Sequence, residues 1–279
     1  MIVDKGGRDM YGAVLGDIIG SRFEFDTGDQ RTDFELFTSR DYFTDDSVMT
    51  AAVAEALLSA DKDDEKDIKD RLIECMQRWG RKYPDAGYGA RFIHWIFSDD
   101  PRPYGSYGNG SAMRVSAAGW LYDSLDKTRQ IARYTSEVSH DHSEGIKGAE
   151  CTAAVIYLSR TGRSKEYIKD YVIREFGYDL SETLEQLRRR HRHDESCMDS
   201  LPKALISFFE GNSYEDVIRK AVSLGGDTDT IAAIAGGMAE GYYEIPEELI
   251  RKGNEYLTAD LKSILMKIDT QRDGKQYKI

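Results

Sequence analysis

Two short acidic stretches, far apart in the chain, limit what this sequence can fold into. One is Phe43-Thr44-Asp45-Asp46-Ser47, the other Gly225-Gly226-Asp227-Thr228-Asp229-Thr230. Each sets threonine and two carboxylates directly before a long run of small and apolar residues, Ser47–Leu58 in the first case and Ile231–Gly241 in the second. Both runs have the composition of buried helices, so each stretch places Thr and Asp oxygens at a helix N-terminus. Brought together, these side chains form an all-oxygen cage suited to a hard divalent cation such as Mg²⁺ or Mn²⁺. Capping is the plainer account of either stretch alone, because Asp and Thr are preferred at helix starts. Capping needs only one such residue, however, and does not explain two carboxylates in each stretch. On spacing alone both accounts stand.

A shared site would require the N- and C-terminal parts of the chain to pack on each other. The 279 residues are ample for a real core, and 40% apolar with 32% charged residues is ordinary for a soluble globular protein. A formal charge of −12 argues against broad nucleic-acid binding and against attachment to anionic membranes. No apolar run approaches the roughly 20 residues that span a bilayer, and no secretion segment follows Met1. Cys75, Cys151 and Cys197 are widely spaced and form no C-x-x-C pair. They read as reduced thiols, Cys75 and Cys151 in helical cores, and the cytoplasm is the expected compartment.

Along the chain, Gly12, Gly16 and Gly20 recur every four residues on one helix face, with Asp17 inside the same segment. Glycine costs about 1 kcal/mol relative to alanine in a helix interior, so the stripe implies close approach of another backbone. Glu24 follows, a candidate ligand only where the fold brings it near Asp45 and Asp46. A helix is expected around 67–79, with Ile68, Leu72, Ile73, Met76 and Trp79 forming its apolar stripe. A short helix is expected over 91–97, with His94 as a packing residue. Between Tyr104 and Arg114, the Gly108-Asn109-Gly110-Ser111 turn is expected to bare backbone N–H groups before a helical run over 115–122, which would cradle an anion. A simple turn explains the same residues and is preferred for the loop alone. Ser139-His140-Asp141-His142 cannot form a nucleophilic triad, since neighbouring side chains do not converge. His140 reads as a ligand contact or as part of a capped loop before a helix over 146–158. The basic block Arg188–His193 reads as a solvated helix end. Pro202 is expected in the first turn of a buried helix, and 271–279 as a frayed end. Strand signals are nearly absent. The expectation is one all-α, compact multi-helix domain over 1–279, its core at about 10–245 with a C-terminal helical extension.

The ordered set G-D-I-I-G-S-R-F-E (16–24), F-T-D-D-S-V-M-T (43–50), Y-G-N-G-S-A-M-R (107–114), S-H-D-H-S-E-G (139–145) and G-G-D-T-D-T (225–230) resembles the ADP-ribosylglycohydrolases. These include the dinitrogenase-reductase-activating glycohydrolases and the ADP-ribosyl-acceptor hydrolases, and the resemblance covers about residues 10–245. It implies an all-α domain with two divalent cations, Mg²⁺ or Mn²⁺, that cleaves ADP-ribose from an acceptor such as an arginine or serine side chain of a protein. By motif, it puts Thr44, Asp45, Asp46, Asp227, Asp229 and Thr230 on the metals. Gly108, Asn109, Gly110, Ser111, Ala112 and Met113 would cradle phosphates and the distal ribose, and His140 would touch ADP-ribose. Glu24 matches a family glutamate at the metal or its water, and Asp85 resembles the D-x-G acid of arginine-specific members. The resemblance thus offers Glu24 or Asp85 as the expected general base. The expected partner is an ADP-ribosylated protein or ADP-ribose derivative, with no general nucleic-acid or membrane partner, and the expected state is a monomer. The alternatives are a non-catalytic ADP-ribose-binding module and a two-metal phosphohydrolase acting on nucleotides.

Overall fold

A computed structural model describes residues 10–24, 31–189 and 193–276. Fifteen α-helices run through them: α1 (Tyr11–Gly20), continued by a 3₁₀ turn at Ser21–Phe23, then α2 (Asp45–Ser59), α3 (Glu65–Lys82), α4 (Ala90–Phe97), α5 (Gly110–Met113), α6 (Ser116–Leu121) and α7 (Leu125–Glu137). There follow α8 (Ser143–Arg160), α9 (Lys165–Phe176), α10 (Leu184–Arg189), α11 (Cys197–Glu210), α12 (Tyr214–Val222), α13 (Thr228–Tyr242), α14 (Glu247–Gly253) and α15 (Ala259–Gln276). Among the described residues the only β-type pairing is the isolated bridge between Gly108 and Ser196. No helix among them is long and apolar enough to cross a membrane. The all-α expectation holds.

The helices start where hydroxyl and carboxylate side chains can accept from the unpaired N–H groups of a first turn. Thr44, Asp64, Ser124, Ser164, Ser196 and Ser213 all do this. Ser196 moves one start upstream of the expected position: α11 begins at Cys197, so Pro202 lies inside the helix and not in its first turn. At the C-terminal end, α15 stays helical through Gln276, further than the expected fraying allows. The stripe of α3 is buried at Ile68, Leu72, Met76 and Trp79, while Ile73 is only partly buried against the core. His94 is the reverse of expectation: it lies on the exposed side of α4, while Phe92, Trp95 and Ile96 face inward. Arg188 and Arg189 end α10 as a helix-end reading requires; residues 190–192 of that basic block lie outside the described residues.

One continuous apolar core runs from Met10 to Ile268 and includes the three free, buried cysteines. At its centre α1 and α13 lie antiparallel, backbone against backbone. A Cβ on Gly16 would fall 2.1 Å from the carbonyl oxygen of Ala232, and one on Gly20 would fall 2.6 Å from Cα of Asp229. This is what the glycine stripe is for. Buried polar bonds fix the register of the pair: the Tyr11 N–H donates to Glu240 Oε1 at 2.9 Å, and Thr228 Oγ1 donates to the Gly20 carbonyl at 2.9 Å. All of α13 from Thr228 to Gly241 is buried.

Candidate active site

The antiparallel pair brings the N-terminus of α13 beside the C-terminus of α1, and Asp17 then ties in a third helix end. Asp17 is fully buried on α1 and accepts four hydrogen bonds from the start of α2. The Thr44 N–H and hydroxyl donate to it at 3.0 and 2.7 Å, the Ser47 N–H at 3.0 Å, and the Ser47 hydroxyl also donates. The sequence reading gave Asp17 no role. Its signal was a carboxylate inside an otherwise apolar, glycine-striped helix, where an unpaired charge is costly.

Thr44 is the N-cap of α2 and Asp45 and Asp46 fill its first turn; Asp227 is the N-cap residue of α13, followed by Asp229 and Thr230. Capping accounts for little of this chemistry. The Thr44 hydroxyl accepts from the Asp46 N–H, but the Asp227 side chain makes no cap bond. Asp227 Oδ2 instead accepts from Asn109 Nδ2 at 2.6 Å, and the Thr230 hydroxyl donates to Asp46 Oδ2 at 3.0 Å. The second of these bonds joins the two acidic stretches directly. Carboxylate oxygens of Glu24, Asp227 and Asp229 lie within 4.8 Å of one another, an arrangement able to hold a metal ion.

These groups carry far more negative charge than two helix N-termini offset. Burial lifts the Glu24 carboxyl to about 7, with the neighbouring Asp227 carboxylate as the next cause. Burial also brings Asp17 to about 6 despite its four donors, and holds Asp45, Asp46 and Asp229 well above the usual carboxylate range. Asp46 Oδ1 and Asp229 Oδ1 are buried and find no hydrogen-bond partner among the described residues. Buried, crowded, partly unpartnered carboxylate oxygens are a donor set suited to a hard divalent cation.

A cavity of about 440 Å³ opens over the cluster, within the range of ligand sites. Glu24, Asp45, Asp227, Asp229 and Thr230 form its acidic end; Gly108, Asn109, Gly110, Met113 and His140 line another part of it. Tyr88, Phe92 and Tyr104 add aromatic surface, and Arg91 and Arg114 add positive charge. Thr44 and Asp46 lie buried and are not among the lining residues.

Three further candidate residues are also absent from the lining. Ser111 and Ala112 are fully buried in α5, and the Ser111 hydroxyl donates to the Gly145 carbonyl at 2.8 Å. Asp85 is exposed in the turn after α3 and is absent from the cavity lining, although the adjacent Ala86 carbonyl accepts the Asp45 N–H at 2.7 Å. The bare-amide expectation for the glycine loop also fails at two positions. Gly108 N–H donates to Ser106 Oγ and Asn109 N–H to the Glu195 carbonyl, so neither is free for an anion. Helix α5 takes up the loop's end, and the next helix begins at Ser116. Of the two histidines in the 139–145 motif, His142 is the N-cap of α8, as the capped-loop account has it, and His140 lines the cavity. Arg114, at the end of the 107–114 motif, is fully buried at the cavity wall.

A family profile described as ADP-ribosylglycohydrolase matches residues 9–276. The chain is 27% identical to human (Homo sapiens) ADP-ribosylhydrolase ARH3, with 90% of each chain covered. It is 24% identical to the ADP-ribosylarginine hydrolase Tri1 of Pseudomonas putida (strain GB-1), covering 90% of this chain and 74% of that one. A solved structure described as an ADP-ribosylglycohydrolase-related protein complex shares the fold, with a TM-score of 0.70 at 24% identity over 96% of this chain and 98% of that chain. Family membership selects glycosyl-bond hydrolysis over the phosphohydrolase and binding-module alternatives. The chain belongs to the ADP-ribosylglycohydrolase family and is a hydrolase of glycosyl bonds.

Proposed function

We propose that this protein hydrolyses the bond between ADP-ribose and an acceptor, a modified arginine or serine side chain of a protein, and releases ADP-ribose. The observation that carries the reading is the convergence of both acidic helix starts and Glu24 on one cavity. Asp45, Asp46, Asp227, Asp229 and Thr230 would hold two divalent cations, Mg²⁺ or Mn²⁺. The Thr230 hydroxyl spends its proton on Asp46 and keeps lone pairs for a ligand bond. Thr44, engaged with both Asp17 and Asp46, braces the ligands from behind. The cations, when bound, supply charge to orient ribose hydroxyls and water near the anomeric carbon.

The remaining work falls to the chain's own side chains. Asn109 holds Asp227 and is itself placed by its bond to Ser200 Oγ at 2.8 Å. Glu24 is half-buried at the cavity beside Asp227 and Asp229, placed to take a proton from water. Between the two candidate bases, exposure of Asp85 outside the lining favours Glu24.

The decisive assay incubates the protein with Mg²⁺ and arginine- or serine-linked ADP-ribosylated peptides and reads products by mass spectrometry. Intact ADP-ribose, released from one peptide and lost with chelator, is the expected result. Release of a nucleoside monophosphate, or release that persists in chelator, would overturn it.

The acidic cluster also fixes a pH dependence of stability. Asp17 at about 6 and Glu24 at about 7 stand above their unfolded values. The folded, metal-free protein therefore binds more protons than the unfolded chain between roughly pH 4 and 7, and these groups make it less stable as pH rises through that window. A divalent cation replaces the missing protons as countercharge. Added Mg²⁺ should raise the melting temperature more at about pH 7.5 than at about pH 5. Equal shifts at both values in a thermal-unfolding series would count against the cluster as the cation site.

A further inference from the structure

His140 reaches the cavity from the turn between α7 and α8, its ring between Phe92 and Tyr104 with centroids 5.9 and 5.6 Å away. Its Nε2 edge meets the glycine loop so closely that a Cβ on Gly110 would lie 3.1 Å from Nε2. The other ring nitrogen, Nδ1, is 2.8 Å from Ser139 Oγ. That same oxygen receives a hydrogen bond from Arg114 Nη2 at 2.8 Å, and Arg114 Nη2 also donates to the Thr135 carbonyl at 2.8 Å. Arg114 and Ser139 are both fully buried.

Donor counting then decides where the imidazole proton sits. A guanidinium only donates, so Ser139 accepts from Arg114; a hydroxyl has one proton of its own to give. Among the described residues, His140 Nδ1 is the acceptor in reach of that proton. Were Nδ1 itself protonated, the Ser139 proton would be buried with no partner, which costs the full desolvation of the group. Donation from a cation also polarises the hydroxyl, making it a better donor and a poorer acceptor. Arg114 Nε and Nη1 have no hydrogen-bond partner among the described residues, so no carboxylate is hydrogen-bonded to the guanidinium there.

We propose that Arg114 and Ser139 are positioning residues that lock His140 as the Nε2–H tautomer, so that it presents a fixed hydrogen-bond donor to a phosphate or hydroxyl oxygen of the nucleotide in the cavity. Burial, helped by the positive charges of Arg114 and Arg91, pushes the ring well below the usual histidine range. The donor is accordingly a neutral imidazole, with no counter-charge to desolvate when the ligand leaves. The functional part of this inference rests on His140 facing ADP-ribose; the tautomer part does not.

The experiment is a long-range ¹H–¹⁵N correlation spectrum of ¹⁵N-histidine-labelled full-length protein without ligand, with the His140 signals identified by their loss in His140→Asn. A pyridine-like Nδ1 and a pyrrole-like Nε2 are expected; the reverse pattern, or a tautomer average, would overturn the lock. Ser139→Ala should convert the His140 pattern to an average and weaken ADP-ribose binding about 10-fold by calorimetry, and Ser139→Thr should restore both. A merely structural serine would lower affinity without moving the tautomer signature, and that result would also overturn it. Where Ser139→Ala fails to fold, the wild-type spectrum alone decides. A wild-type protein with the expected tautomer that does not bind ADP-ribose would refute the ligand reading and leave the lock standing.

Discussion

An Asp229→Asn protein should fold normally and lose on the order of 10²–10³-fold in turnover, a loss of the size seen when one preorganised charge-stabilising group is removed. Asp229 sits in the first turn of α13, buried, with Oδ1 unpartnered and its carboxyl pushed well above the usual range by burial and then by Asp227. Asparagine preserves its shape. It also removes a charge from a site with too many of them, so the metal-free variant should be at least as stable as wild type at neutral pH. What asparagine removes is one of the few carboxylates that would neutralise the cations in the cage. Calorimetric titration with Mg²⁺ should accordingly show weakened binding alongside the kinetic loss. Unchanged turnover in a variant that still binds the metal would sink the assignment of Asp229 to the centre.

The second large effect comes from a residue that touches no substrate. Gly16→Ala pits two known tendencies against each other. On propensity alone, replacing glycine inside α1 should stabilise by about 1 kcal/mol. Yet the new Cβ would lie 2.1 Å from the Ala232 carbonyl oxygen and 2.5 Å from its carbon, and both belong to helix backbone that cannot rotate away. Overpacking a tight core costs typically 1–3 kcal/mol, more where backbone must move, so a net loss of about 2–4 kcal/mol is expected in urea unfolding. The same displacement shifts α13 relative to α1, and with it Asp227 and Asp229 relative to Glu24. Activity should therefore fall further than the folded fraction does. A stabilised Gly16→Ala protein would show that the helices are less tightly seated than these distances require.

Much of this was legible in the chain because it is local. The start of α2 at Thr44 and of α13 at Asp227 follows from capping chemistry followed by apolar runs, and the stripe at Gly12, Gly16 and Gly20 announced a close backbone contact. What escaped depends on partners remote in sequence. Nothing around Asp17 reveals that Thr44 and Ser47 will satisfy it, and nothing around Thr230 points to Asp46. The glycine loop shows the same divide. Its composition foretold a bend near a helix start, but not that Glu195 and Ser106 would consume two of its amides, nor that Ser111 would turn to Gly145. His94 went the other way, since an apolar sequence neighbourhood does not say which side of a short helix faces water.

The antiparallel seating of α1 against α13 also sets an order of events during synthesis. Because α1 leaves the ribosome first, its glycine face must wait for nearly the whole chain before α13 arrives to cover it. Until then Asp17, Asp45 and Asp46 belong to a nascent segment with no second half of the cage, and cation capture cannot assist folding. Long-range closures of this kind are slow and leave apolar surface open in the meantime. A chain stopped anywhere before residue 227 would thus carry at most Glu24, Asp45 and Asp46 of the acids and no centre, so the site is a product of the finished fold and gives no help along the way.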